Sequence, residues 1–358
     1  MKLLYLSHGH PLLEYDDCSI FKKLGIDYFS TGYYAESSKP NNLPEIINPF
    51  QDKYNELFFR TCERDTCRYD RIGTHAYAKN LQFTNSIIKN EINFSNEFLE
   101  LFDCIIISHN IRNILINDGK LNNIKVFVKT FCMHTLDLEH VLQIAREQIK
   151  AKIIRACPTY KNRGEIDADY VIRQSIDIND REWIGDKKSV CTFSSFIDLN
   201  DAMMIRRKMY YDEIVKLNQD IDFNIFGAVN GRYGTFITDV EKLDVLSSYR
   251  INLALGTPNA TTTYSIMEAM AAGQPVICFG RNMYQSALFD TDMFIKHGEN
   301  GFFINSPQEF RDIAIELLNN DELARQIGSN AKRDIEAYIG KDVISKQWKK
   351  MFEKEGLL

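Results

Sequence analysis

One carboxylate stands in a stretch that is otherwise small and apolar. In YSIMEAMAAGQPVICFG, residues 264–280, Glu268 is the single charged side chain. The spacing predicts a helix over 265–272, stopped by Gly273 and Pro275, and then a buried strand over 276–279. A carboxylate buried there without a partner is costly. Glu268 therefore either faces solvent, as charged residues mostly do, or has a ligand to hold. The loop before such a helix points free backbone N–H groups outward, which makes an anion site.

Other residue types could move protons or neutralise charge. His8, His10, His109 and His134 all fall at the ends of predicted strands. A histidine titrating near neutrality can take a proton from a hydroxyl, and each of the four also reads as an ordinary loop histidine. Arg206, Arg207 and Lys208 sit near the start of a predicted helix over 201–217, and Lys296 precedes a turn at Gly298. These cations read either as partners for an anion or as a solvated helix face. Three D-x-D triplets, at 167–169, 220–222 and 290–292, invite a metal. The triplet is short and Asp is common here, so no metal ligand is assigned.

Positioning such groups takes a scaffold. Apolar strands are predicted over 2–7, 104–108, 125–129 and 152–155, alternating with helices over 17–24, 52–62, 75–89 and 138–150. A second series has strands over 190–193, 222–226, 251–255, 276–279 and 302–304, with helices over 201–217, 242–249, 265–272, 308–319, 321–338 and 341–352. Continuous apolar strands alternating with helices imply α/β architecture with parallel sheets covered on both faces. Ligands on such sheets bind at the carboxyl ends of strands. The first turn, His8-Gly9-His10-Pro11, is not a G-x-G-x-x-G dinucleotide fingerprint. A polar stretch with Gly164, Gly185 and many Asp separates the halves, so residues 1–165 are read as one domain, 166–188 as linker and 189–338 as the second domain. The remaining 339–358 is a terminal helix expected to pack back on the first domain.

At 358 residues the chain suits two domains rather than one core. Hydrophobic residues at 44% and charged residues at 26% describe a globular protein, and a formal charge of −6 disfavours broad binding to nucleic acid. No apolar run approaches the roughly 18 residues of a membrane span, and the apolar start is too short for a signal peptide, so a cytoplasmic location is expected. The eight cysteines show no C-x-x-C spacing and read as reduced, mostly buried thiols.

The run from Ser265 through Glu268-Ala269-Met270-Ala271-Ala272-Gly273-Gln274-Pro275-Val276-Ile277 resembles the donor-site signature of group 1 glycosyltransferases with the GT-B fold. His297-Gly298-Glu299-Asn300-Gly301-Phe302 resembles the hGxNGfl turn of the same family, and Tyr170-Val171-Ile172 with Ser175-Ile176-Asp177 is similar to the strand before its second domain. The resemblance is strong over 243–339 and only architectural in the first half. It implies two Rossmann-like doubly wound domains facing across a cleft. The nucleotide-sugar donor, a UDP- or GDP-sugar, would bind mainly to the second domain and the acceptor, expected to be a glycan, mainly to the first.

By the same resemblance Glu268 accepts hydrogen bonds from the donor ribose hydroxyls, a task that suits a carboxylate because it can accept from both. The loop before the helix, with Thr261, Thr262, Thr263 and Tyr264, would present N–H groups to the diphosphate. Two departures follow. Many members carry a second Glu eight positions earlier, where this chain has Ala260, so retaining stereochemistry and sugar specificity do not carry over. The family's Arg and Lys after the first strand of the second domain are replaced by Ser194 and Ser195, leaving Arg206, Arg207 and Lys208 as the nearest cations for the leaving group, with Lys296 as another candidate. Neutralisation by N–H groups and a cation needs no metal. An inverting transfer needs a base, for which His10, after the first strand, is the first choice and His109 the second. A sugar-nucleotide epimerase on the same fold and a non-catalytic nucleotide-sugar binding protein are the alternatives.

Overall fold

The structure, a computed structural model, describes residues 1–7, 11–32, 51–64, 91–108, 111–117, 119–131, 136–157, 165–177, 182–194, 197, 202–227, 239–256, 264–284 and 291–358. Two compact units emerge. The first includes the described residues up to Ser175 together with Lys341–Leu358, and the second includes Ile176–Gly340.

In the first unit the elements run β1 (Lys2–Leu6), α1 (Pro11–Lys23), β2 (Asp27–Ser30), α2 (Gln51–Thr61), β3 (Glu63–Arg64), β4 (Ile92–Asn93), α3 (Asn96–Leu99), β5 (Cys104–Ser108), α4 (Arg112–Ile116), β6 (Lys125–Thr130), α5 (Leu136–Gln148), β7 (Lys152–Arg155) and β8 (Tyr170–Val171). Six strands form a parallel sheet in the order β2-β1-β5-β6-β7-β8, while β3 and β4 pair as a short antiparallel ribbon. Every residue of β5, CIIIS, is buried. That is the signature of a strand covered on both faces.

In the second unit the order is β9 (Lys187–Phe193), α6 (Ala202–Leu217), β10 (Phe223–Phe226), α7 (Asp239–Ser248), β11 (Tyr249–Ala254), α8 (Tyr264–Ala272), β12 (Val276–Phe279), α9 (Arg281–Tyr284), β13 (Phe302–Ile304), α10 (Phe310–Asn319) and α11 (Asp321–Ile339). Its sheet is parallel throughout, in the order β10-β9-β11-β12-β13. Both sheets thus start in the middle, step to one side, then reverse. The reversal is a topological switch point, between β1 and β5 in one unit and between β9 and β11 in the other.

After α11 the chain returns to the first unit as α12 (Lys341–Lys354), whose Trp348 is fully buried with its ring edge-on to Phe21 of α1 at 5.3 Å. The Trp348 ring also lies 5.2 Å from the Lys129 ammonium. Lys129 and Asp17 make a buried ion pair, with Nζ 2.6 and 2.7 Å from the two carboxylate oxygens. Tyr5 donates its hydroxyl to Asp17 at 2.7 Å, and burial first, then the Asp17 charge, pushes that phenol well above its ordinary range. Buried Glu14, one turn before Asp17, accepts from the hydroxyls of Ser7 and Ser30, and buried Arg155 donates to both oxygens of Glu139. Buried charge persists here because each group has partners of its own.

Several expectations shift at their edges. Helix α1 begins at Pro11 rather than residue 17, with Pro at a position where no N–H is needed. Strand β2 is four residues long and starts with Asp27, too short to show a period. The helix expected from 308 opens as a 3-10 turn, Pro307–Glu309, where the Ser306 hydroxyl bonds the Glu309 carboxylate instead of capping a backbone N–H. The stretch 166–188 is divided, since β8 pairs with β7 while Trp183 joins the second core and donates to the Tyr249 carbonyl at 3.0 Å. The predicted helix over 75–89 lies outside the described residues.

Candidate functional site

The switch point of the second unit lies where β9 and β11 end. Phe193 closes β9, and Ser194, half-buried, donates its backbone N–H to the Phe226 carbonyl at 3.0 Å, tying the end of β9 to the end of β10. The Phe193 and Phe226 rings are 5.8 Å apart, and Phe226 meets Tyr249 edge-on at 5.5 Å. Beneath them the Cys191 thiol receives hydrogen bonds from Asn252 at 3.6 Å and Gln274 at 3.3 Å, and Gln274 also donates to the Tyr249 carbonyl at 3.0 Å. Burial pushes that thiol up to about 12. These contacts fix β9, β11 and the C-terminal turn of α8 against one another.

Helix α8 lies in the connection from β11 to β12. Its residues Ile266, Met267, Ala269, Met270, Ala271 and Ala272 are all buried, which explains an apolar pattern with no polar face. Gly273, at φ 80°, donates to Met270 and the next residue, Gln274, donates back to Ala269, both at 2.9 Å. This is the Schellman end that glycine allows.

Glu268 is the charged exception on α8. Its side chain is 19% exposed, and Oε2 accepts from the ammonium of Lys242 on α7, itself 21% exposed. The Lys242 ammonium also lies 5.4 Å from the centroid of the Phe193 ring. Three elements that converge only through the strand order, α7, α8 and the end of β9, therefore make one cluster. No periodic signal or motif in the sequence marks Lys242.

The other candidates scatter. Tyr264 is half-buried at the first position of α8. On α6, Arg206 is exposed while Arg207 is 2% exposed within the fold, and Lys208 pairs with Asp212 one turn on. Three consecutive cations on a helix point 100° apart, so they cannot act as one patch. Lys296 is exposed and 3.9 Å from Asp334. His8, His10, His109, His134, Ser195, Ala260, Thr261, Thr262 and Thr263 lie outside the described residues.

The turn 297–301 is braced by its own side chains. Buried Asn300 accepts from the Lys296 N–H at 2.7 Å and donates to the Phe294 carbonyl and to Asp334 of α11, each at 2.9 Å. His297 accepts the Phe303 N–H on Nδ1 at 3.1 Å. The motif residues thus anchor β13 to α11.

The aspartates of the D-x-D triplets that are described have other partners. Asp169 binds Arg146 at 2.7 Å, Asp220 binds both terminal nitrogens of Arg311 at 2.8 and 2.9 Å, Asp222 accepts from Asn224 at 2.9 Å, and Asp292 binds Arg281 at 2.6 Å. Among the described residues no group of three or more His, Cys, Asp or Glu side chains is placed to hold a metal.

Residues 206–340, which contain this whole cluster except Phe193, match the family described as glycosyl transferase-like. That match covers less than half of the chain. A stretch of 128 residues is 28% identical to an uncharacterized glycosyltransferase of Methanocaldococcus jannaschii, covering 35% of this chain and 31% of that relative. The match therefore spans about a third of the relative's length.

Solved structures match along nearly the whole chain. A variant of TarM from S. aureus, in complex with fondaparinux, alpha-GlcNAc-glycerol and UDP, has a TM-score of 0.61 at 13% identity over 98% of this chain and 99% of that one. HepE of Anabaena, in complex with UDP-glucose, has a TM-score of 0.60 at 13% identity over 99% and 100%. The pneumococcal O-GlcNAc transferase GtfA, in complex with UDP and GlcNAc, has a TM-score of 0.57 at 11% identity over 99% of each chain. The fold is GT-B, and residues 206–340 are the part that is similar to the family. Among the described residues no helix is long and apolar enough to cross a membrane.

Proposed function

We propose that this protein is a glycosyltransferase that moves a sugar from a nucleoside-diphosphate sugar to an acceptor hydroxyl. The observation that carries the reading is Glu268: a half-buried carboxylate on α8, beside a switch point, inside the stretch similar to the glycosyl transferase-like family. Its Oε1 makes no hydrogen bond among the described residues. A carboxylate so placed accepts from the two ribose hydroxyls of a nucleotide. The complexes of TarM, HepE and GtfA with UDP or UDP-glucose support a UDP-sugar as donor, with a GDP-sugar the next to try. The acceptor is a glycan.

The leaving diphosphate is neutralised by backbone N–H groups, for which Thr261, Thr262, Thr263, Tyr264 and Ser194 are the candidates, and by Arg206, an exposed cation of α6. That arrangement requires no metal. Arg207, also on α6, is buried. His10 follows β1 and His109 follows β5, and these strands are neighbours flanking the switch point of the first unit. That adjacency supports the pair as the source of the base, His10 first. The reaction takes place in the cytoplasm.

The test is turnover of radiolabelled UDP-glucose, UDP-GlcNAc and GDP-mannose with a panel of glycan acceptors in the presence of EDTA. Acceptor-dependent release of nucleoside diphosphate is expected. A free epimer formed without acceptor, or tight binding with no turnover, overturns the reading.

A further inference from the structure

The pairing of Glu268 with Lys242 is more than charge compensation. An ion pair in open water contributes little, because both long side chains must be ordered to make it. Here both are about four-fifths covered, and Lys242 is held on a second side by the Phe193 ring. The lysine comes from α7, which enters β11, and the glutamate from α8, which leaves it. Their contact thus spans the strand whose carboxyl end borders the switch point. Lys242 takes one carboxylate oxygen, Oε2, and Oε1 is left without a hydrogen bond among the described residues. A free carboxylate on a helix samples several rotamers, each with different lone-pair directions. One tethered through a single oxygen to a cation packed on an aromatic face has its other oxygen aimed.

We propose that Lys242 is a positioning residue for the donor's ribose. It fixes the Glu268 carboxylate through Oε2, so that Oε1 and the remaining lone pair of Oε2 meet the two adjacent hydroxyls together. The inference rests on the donor-site reading of Glu268 above and adds a residue and a selectivity to it. The site discriminates ribonucleotides from their deoxy counterparts only while the tether is in place.

Calorimetry with UDP and GDP, each beside its 2′,3′-dideoxy form, tests this on wild type, Lys242→Met, Lys242→Arg and Glu268→Gln. Wild type is expected to prefer the ribose form by about tenfold or more, the weight of a hydrogen bond to a charged group. Lys242→Met should lose that preference while binding the dideoxy form as wild type does, and Lys242→Arg should restore most of it. An equal loss for both forms in Lys242→Met would place the lysine on the phosphates, or in the general stability of the domain, and overturn the positioning role. So would an unaltered preference. If Glu268→Gln also binds both forms as wild type does, the donor-site reading itself falls. If Glu268→Gln loses the preference and Lys242→Met keeps it, only the role of Lys242 falls.

Discussion

Gly328 of α11 passes the end of α8 so closely that a Cβ built on it would stand 1.9 Å from the Gly273 carbonyl oxygen. The turn cannot yield, because Gly273 is already in the left-handed region and both its neighbouring hydrogen bonds hold it there. Gly328→Ala is expected to destabilise the second unit by about 1–3 kcal/mol through overpacking. Urea unfolding measures it. Because α8 carries Glu268, the same variant should also bind nucleoside diphosphate more weakly than its stability alone accounts for.

Glu268→Ala should lower nucleoside-diphosphate affinity by about tenfold to a hundredfold, the range for losing one or two hydrogen bonds to a charged acceptor. The fold should persist, since Lys242 can still turn its ammonium outward from the Phe193 ring. Calorimetry reads the first effect and far-ultraviolet circular dichroism the second. Unchanged binding removes Glu268 from the site.

In the first unit, Lys129→Met leaves the Asp17 carboxylate buried with only the Tyr5 hydroxyl among its partners described above. The expected loss is about 3–5 kcal/mol. Adding Asp17→Leu should recover most of it, because Tyr5 retains Ser108 as a partner at 3.2 Å. A double-mutant cycle by chemical denaturation gives the coupling, and a double variant no more stable than Lys129→Met refutes the account.

Asp334 provides a pH test. Burial pushes its carboxyl up, but hydrogen bonds from Arg333 and Asn300 and the charges of Arg333 and Lys296 more than reverse this, leaving it below the ordinary carboxylate value. A carboxyl depressed by folding stabilises the native state above its unfolded pKa, near 4, and that contribution is lost as pH falls through the folded value. Asp334→Asn should therefore be less stable than wild type at pH 7, and the gap should narrow below about pH 4. A gap independent of pH would mean that the charge of Asp334 plays no part in bracing the 297–301 turn.

Much of the fold was legible because parallel strands buried on both faces write themselves as apolar runs, as in the CIIIS of β5 and the VICF of β12. Strand β2 was not, since four residues opening on Asp27 carry no period. Glu268 could be found because it lies within a local pattern, a charge in an apolar helix at a spacing shared with a known family. Lys242 could not. It precedes Glu268 by 26 positions on another helix, and only the β9-β11 neighbourhood brings the two together. Arg206 and Arg207 are adjacent in sequence and opposite in environment, which needs the facing of α6 to decide. The reading of 297–301 as a motif was local, yet its side chains turn out to brace the strand to Asp334, a partner in a distant helix.

The two ends of the second unit meet: Ile176 donates its N–H to the Ile339 carbonyl at 3.1 Å and bridges to Gly340. Helix α12, which supplies Trp348 to the first unit, is thus made by the ribosome only after the second unit has been completed. Until then Phe21 and the Lys129 ammonium lack their indole cover. The first unit, begun earliest in synthesis, thus gets the last piece of its core from the end of the chain.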